Sequence, residues 1–397
     1  MANYKTLVLS VDELWLKGKN RKYYFKGFKN HVKAIIKRLH NDSTICRNES
    51  QKLVVDSETA FSQELIEALS WLPGLQSLRP SIEIESTYEK IVEASMELVQ
   101  RVEPVEKTFK VICKRNDKSF PVKSVEINQN LGHLIPEKFP HLKVDVIDPD
   151  LILEIKIYSG KTYISFETYK GIGGLPSGMT GHLLTLISGG FDSPIASYLM
   201  SKRGCSQDFI FFYAYPYVGE EVKDKILLMM EKLKRFHFKC RLYVIPFGDI
   251  QNKIAKSCHI EYRTLLFRKY MLECASRLAK DIKAEALVTG DNLGQVSSQT
   301  LENMTALDQA TSLSIFRPLL GLNKKEIIKM ARDIETHDIS VIPHDDACSL
   351  FAPESPILRP DQGYLEQYFK KNDFTQDIAQ AISDAEIYRF DSKRDNI

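Results

Sequence analysis

The most constraining feature of the chain is an apolar strand pattern that runs straight into a glycine-rich turn and then a helical pattern. Residues 183–187 read LLTLI, Ser188-Gly189-Gly190-Phe191-Asp192-Ser193 follows, and 193–203 has helical spacing. The alternation continues. Strand patterns at 208–213, 240–246 and 284–289 are interleaved with helical patterns at 220–236, 261–281 and 297–310. Such alternation predicts a parallel sheet covered by helices on both faces. A turn of this kind lets backbone N–H groups approach an anion, and the helix N-terminus adds its positive end. Ser188 and Ser193 add hydroxyl donors, and Asp192 is a carboxylate able to hold Mg2+ beside phosphates. The Gly-Lys-Ser/Thr ending of a Walker A loop is missing. Asp192 or Ser193 alone reads equally well as a helix cap; the whole strand–turn–helix arrangement favours a phosphate site.

Upstream lie two smaller patterns. Residues 4–10 read as a strand, 20–39 as an amphipathic helix, and 43–48 and 51–56 as two short strands, a compact α+β unit. From about 60 to 168, helical segments (60–70, 87–102, 121–135) alternate with strands (107–114, 151–158, 161–167), the last two forming a hairpin at Ser159-Gly160. The stretch GIGGLPSGMTG, 171–181, carries no charge and reads as a linker. The last 35 residues read as helical and polar, with a charged tail at 391–397. The expected division is therefore 1–58, 59–168, a linker at 169–181, and 182–397.

Charge separates these regions. Residues 1–52 carry 12 Lys/Arg against 4 Asp/Glu, a net of +8, while 53–168 carry a net of −6 and the remainder is balanced. Between Lys17 and Arg38 there are nine basic residues and no acidic one, interleaved with Tyr23, Tyr24, Phe25 and Phe28. A solvated helix face explains many charge runs. Nine like charges without a counter-charge repel, however, and a polyanion removes that repulsion, so this face is the candidate nucleic-acid contact. No apolar run approaches the roughly 20 residues of a membrane span, and the N-terminus does not read as a secretory signal. The seven cysteines are scattered, with no CxxC spacing. Neither a zinc ribbon nor a disulfide framework is indicated, and a cytoplasmic location is expected.

The segment SGGFDS resembles the PP-loop of ATP pyrophosphatases, SGGxDS, which binds the leaving pyrophosphate while a substrate oxygen is adenylated. Further stretches resemble the 4-thiouridine tRNA synthetase (ThiI) family: DELWLKGKNR (12–21), PYVGEEVKDKI (216–226), TGDNLGQVSSQT (289–300), RPLLGLNKKEII (317–328) and CSLFAPESP (348–356). Asp12 stands where that family usually has glycine. The resemblance spans nearly the whole chain. It implies an α/β multidomain protein: an N-terminal ferredoxin-like α+β domain, a THUMP domain, and a PP-loop domain with a doubly wound, Rossmann-like parallel sheet.

By position the resemblance assigns an ATP site to Leu186, Ile187, Ser188, Gly189, Gly190, Ser193, Phe211, Phe212, Arg268, Gly290 and Gln299. Asp192 becomes the organiser of Mg2+ or phosphate, and Cys348 the cysteine that handles sulfur. Lys17, Lys19, Arg21 and Lys22 become tRNA contacts. The implied activity is ATP-dependent adenylation of C4 of a tRNA uridine, expected at position 8, followed by sulfur transfer from a persulfide. The products are 4-thiouridine, AMP and pyrophosphate. A cysteine desulfurase is the implied sulfur source, and a homodimer is compatible with the family. Many members carry a C-terminal rhodanese domain; with the chain ending at Ile397, the form lacking it is expected. Two other readings stay open here: another PP-loop tRNA thiolase, such as a 2-thiouridylase, and a non-catalytic, ATP-sensing RNA-binding protein.

Overall fold

The computed structural model describes residues 4–49, 52–343 and 353–391. Cys348 and the tail 392–397 lie outside the described residues. Residues up to Gly174 and residues from Leu175 onward form two compact units. No helix among the described residues is long and apolar enough to cross a membrane.

The first unit is built on one sheet. Its strands are β1 (Thr6–Val11), β2 (Thr44–Glu49), β3 (Lys52–Ser57), β4 (Leu75–Glu85), β5 (Lys107–Arg115), β6 (Leu142–Val144), β7 (Leu151–Tyr158), β8 (Lys161–Ser165) and β9 (Tyr169–Lys170). They run in the order β2-β3-β1-β4-β8-β7-β5-β6, with β9 also on β4. The helix Arg21–Leu39 places Phe28, Val32, Ile35 and Ile36 at helical spacing against Leu7, Leu9, Leu53 and Val55. A second core joins Ile91, Leu98, Ile127 and Leu131, from helices Tyr88–Gln100 and Ser124–Lys138, to Phe109, Leu153 and Ile155. Ser62 and Thr87 start their helices by accepting from Leu65 N at 3.2 Å and Lys90 N at 3.3 Å.

β4 had no counterpart in the sequence reading, yet it is the longest strand and joins the two halves of the sheet. Pro80 hides it. One edge of β4 pairs with β9 at Ser77 and Leu78 and with β8 from Ile82 onward. Pro80 occupies the gap between those ladders, where a missing N–H is tolerated. The first core also continues past the division expected at 58/59: Phe61, Leu65, Leu69, Leu75 and Leu78 all belong to it.

The expected linker is shared between the units. Gly171 presses so closely on β4 that a Cβ there would lie 2.1 Å from the Leu75 carbonyl oxygen, so only glycine fits. Asp12 accepts from Gly174 N at 2.8 Å, within the first unit. From Leu175 onward the chain hydrogen-bonds to the second unit, as in Leu175 N to Lys202 O at 2.8 Å.

The second unit contains β10 (His182–Leu186), β11 (Ser206–Tyr213), β12 (Lys239–Pro246), β13 (Ala286–Val288), β14 (Ser314–Phe316) and β15 (Glu386–Asp391). The order is β14-β13-β10-β11-β12-β15, parallel except for β15. β11 is buried on both faces. Ile210 and Phe212 join the core of the helix Arg263–Asp281, while Phe209 turns to His237 on the other face. The C-terminal region departs from expectation: two helices, Gln362–Lys371 and Thr375–Ser383, are followed by β15, an antiparallel edge on β12. Its half-exposed, charged sequence carries little strand signal.

Candidate nucleotide site and nucleic-acid face

In open α/β sheets ligands bind beyond the carboxyl ends of the strands, where the strand order reverses. β10 lies between β13 and β11 at such a point, and the SGGFDS turn leaves its carboxyl end. The turn is closed on itself. Ser188 N donates to Ser193 Oγ at 2.8 Å, and the two hydroxyls are 3.1 Å apart. Asp192 opens the helix Asp192–Lys202. Gly290 backs the loop; a Cβ there would sit 2.7 Å from Ser193 N and 2.9 Å from the Asp192 carbonyl carbon.

A cleft of about 290 Å³ opens beside this loop. Of the residues assigned to ATP, Leu186, Ile187, Ser188, Ser193, Phe211, Phe212, Arg268, Gly290 and Gln299 line it, as does Asp192. Gly189 and Gly190 belong to the loop but not to the lining. The lining combines apolar residues (Phe211, Phe212, Met271, Leu272) with Ser188, Asp192 and Ser193 of the loop. Thr264 Oγ1 and Gln299 Oε1 are buried cleft-lining residues' atoms with no hydrogen-bond partner. Gln299 was expected inside a helix. It lies instead in a short 3-10 turn, Ser297–Gln299, because Thr300 caps the helix that follows by accepting from Asn303 N at 3.2 Å.

Two cationic arrangements were not visible in the sequence. Lys324, at the start of the helix Lys324–Asp333, sets its ammonium 2.8 and 3.0 Å from the two oxygens of Asp192. Gln295 Nε2 donates to the same carboxylate at 3.0 Å. Arg268 is paired with the buried Asp291 and donates to Ser298 O at 3.0 Å. Arg317 Nε also reaches Asp291, at 3.3 Å, and Thr289 donates to it at 2.9 Å. Burial opposes ionisation of Asp291, but Arg268, Thr289 and Arg317 outweigh it and hold its carboxyl below the usual range. Arg268 is thus a pinned wall residue of the cleft rather than a free surface cation.

Among the described residues no group of three or more His, Cys, Asp or Glu forms a metal cage. Asp291 is fully engaged by its cations. Asp192 remains, one carboxylate that now carries Lys324. A single carboxylate is a donor set that suits Mg2+ carried in on nucleotide phosphates.

Six free cysteines lie among the described residues. Burial pushes every one of their thiols up, Cys258 to about 11 and Cys274 to about 12, which disfavours the thiolate. Cys205 is buried beside the Thr180 hydroxyl at 3.3 Å and precedes β11, away from the carboxyl end where the cleft opens.

In the first unit, Arg21, Lys22, Lys26 and Lys29 line a groove of about 500 Å³ with Leu14, Phe25 and Asn48. Arg21 and Lys22 occupy the first turn of their helix, which has no acidic residue and no side-chain cap. Cations at the positive end of a helix are unfavourable without an anion. Lys19 is exposed, and Lys17 lies over the Tyr24 ring at 4.9 Å. Trp15, Leu16 and Tyr23 are exposed on the neighbouring segments.

The parallel sheet, the SGGFDS turn and the cleft beside it define a PP-loop protein. Comparison with known proteins matches residues 178–374 to the family described as thiamine biosynthesis protein (ThiI), 85–167 to the THUMP domain, and 6–78 to the ThiI ferredoxin-like domain. A probable tRNA sulfurtransferase of Brevibacillus brevis is 34% identical over 391 residues, covering 98% of both chains. One of Bacillus licheniformis is also 34% identical, covering 98% of this chain and 97% of the relative. A crystal structure of a 4-thiouridine synthetase–RNA complex with bound ATP superposes with a TM-score of 0.84 at 28% identity, over 98% of this chain and 100% of that one. The chain belongs to the ThiI family of tRNA sulfurtransferases.

Proposed function

We propose that this protein is an ATP-dependent tRNA sulfurtransferase that converts a uridine, at position 8, to 4-thiouridine. The observation that carries the reading is the cleft. The Ser188–Ser193 turn and the apolar residues Phe211, Phe212, Met271 and Leu272 line one cleft at the carboxyl ends of the strands, in a chain matching tRNA sulfurtransferases over 98% of its length.

ATP lies with its base against Phe211 and Phe212 and its phosphates on the Ser188–Ser193 turn. The C4 oxygen of the uridine attacks the α-phosphate, and pyrophosphate leaves. The turn's donors and Lys324 stabilise the charge that develops there. Asp192 holds Lys324 in place and is the residue that would ligate Mg2+ borne by the nucleotide, which supplies further charge neutralisation when bound. A persulfide sulfur on Cys348, supplied by a cysteine desulfurase, then attacks C4. AMP leaves, and a thiol reductant cleaves the remaining S–S bond. The basic groove with Arg21 and Lys22, together with Lys17 and Lys19, contacts the tRNA backbone, which positions the RNA without reading its sequence. We place the reaction in the cytoplasm.

The reading is tested by pyrophosphate release from ATP in the presence and absence of unmodified tRNA. Release that depends on tRNA supports adenylation of the RNA. Release that ignores tRNA points to a small-molecule substrate.

A further inference from the structure

Phe211 and Tyr213 lie two apart on β11, and so on one face of it. Tyr215, two residues further on, continues their row. The ring centroids of Phe211 and Tyr213 are 6.2 Å apart and those of Tyr213 and Tyr215 are 5.9 Å apart, each pair inclined by 30°. Such spacings belong to aromatic rings in contact. The row begins in the nucleotide cleft, which Phe211 lines. Phe211 and Tyr213 are buried, whereas Tyr215 is 58% exposed. The row therefore runs from the cleft wall to the surface. A tyrosine exposed singly needs no explanation; one that carries a row of rings out of a substrate cleft does.

The turn that presents Tyr215 is held on both sides. Tyr217 N donates to Ala214 O and Phe247 N to Tyr213 O, each at 2.8 Å. Gly248 packs against it so closely that a Cβ there would lie 2.3 Å from the Tyr215 carbonyl oxygen. The charges beside the row select among ligands. Lys223 lies over the Tyr213 ring at 5.6 Å, but it is paired with Glu386 at 3.2 Å. Glu220 and Glu221 begin the same helix, and their charges reach Tyr213. An RNA phosphate gains little there. The uncharged face of a base is what the row can take.

We propose that Tyr215 is a stacking platform for an unpaired base of the RNA substrate, beside the uridine that enters the cleft. The proposal rests on the reading of that substrate as tRNA. A uridine whose C4 oxygen is to reach a nucleotide in the cleft must leave its base stack. Its neighbours lose a stacking partner as it leaves, and an aromatic ring at the exposed end of the row replaces that partner.

The test compares wild type with Tyr215→Ala, Tyr215→Leu, Tyr215→Phe and Tyr215→Trp. Formation of 4-thiouridine is followed with unmodified tRNA varied, and ATP binding is measured by calorimetric titration. Tyr215→Ala and Tyr215→Leu are expected to lower kcat/KM for tRNA by about 5- to 150-fold, the loss of one base–aromatic stack, with ATP affinity unchanged. Tyr215→Phe and Tyr215→Trp, which keep a flat ring, stay near wild type. Tyr215→Trp also reports directly: adding tRNA is expected to quench its fluorescence beyond the change that Trp15 and Trp71 give in the wild type. Wild-type kcat/KM in Tyr215→Ala overturns the proposal. So does a loss in Tyr215→Phe equal to that in Tyr215→Ala, which would assign the effect to the hydroxyl. A matching fall in ATP affinity also overturns it, by giving the ring to the nucleotide. Wild type that forms no 4-thiouridine overturns the reading of the reaction, and this proposal with it.

Discussion

Lys324 sets its ammonium on both carboxylate oxygens of Asp192, at 2.8 and 3.0 Å, across 132 positions of the chain. The side chains are 41% and 23% exposed, so the pair adds at most about 1 kcal/mol to stability. Its consequence is for charge at the mouth of the phosphate-binding turn. Lys324→Met is expected to lower tRNA-dependent pyrophosphate release by about 10²–10³-fold, the usual loss for one preorganised donor. Asp192→Ala is expected to abolish it. Thermal unfolding measured alongside should move by only about 2–4 °C, as 1 kcal/mol does in a unit of this size.

Gly290 gives a steric prediction. A methyl group there would meet Ser193 N and the Asp192 backbone at under 3 Å, and these atoms are backbone that cannot swing away. Gly290→Ala is expected to cost about 1–3 kcal/mol of stability and to weaken ATP binding more than tRNA binding. Calorimetric titration with each ligand separates the two effects. Equal weakening of both would indicate general destabilisation.

Much of this site was legible because its parts are contiguous. Ser188 to Ser193 is a local pattern whose chemistry follows from glycine, hydroxyl and helix start, while Gly290 came from the family resemblance. Phe211 and Phe212 were carried over by position from the family resemblance, and their place at the end of a parallel strand agrees with it. What the sequence could not show depends on side chains meeting from distant elements: Lys324 on Asp192, and Arg268 with Arg317 on Asp291. β4 was missed because Pro80 argues against a central strand, and β15 because it is short, charged and half exposed.

Asp291 links stability to pH. Its folded-state carboxyl lies below the ordinary value, so its contribution is present above the unfolded pKa, about 3.9, and is lost as pH falls through the folded one. Asp291→Asn leaves Arg268 without its carboxylate, while Arg317 keeps Asp308 at 2.6 Å; breaking the buried pair costs about 3–5 kcal/mol near neutral pH. Denaturant unfolding across pH should show the gap between wild type and variant closing below about pH 4. A gap that stays constant on acidification would contradict the ionised network.

The basic face has its own readout. Reversing Lys19, Arg21 and Lys22 to glutamate is expected to weaken tRNA binding and to flatten the dependence of log affinity on log salt, by about one unit per lost phosphate contact. Binding measured from low to high salt checks this. An unchanged slope would move the RNA contact elsewhere.

The most direct measurement is thiolation of unmodified tRNA with ATP, Mg2+, cysteine and a cysteine desulfurase, using wild type and Cys348→Ser side by side, with the nucleosides resolved by mass and absorbance. The account predicts 4-thiouridine from wild type and none from the variant. A different thiolated base, or 4-thiouridine formed equally by both proteins, would contradict it.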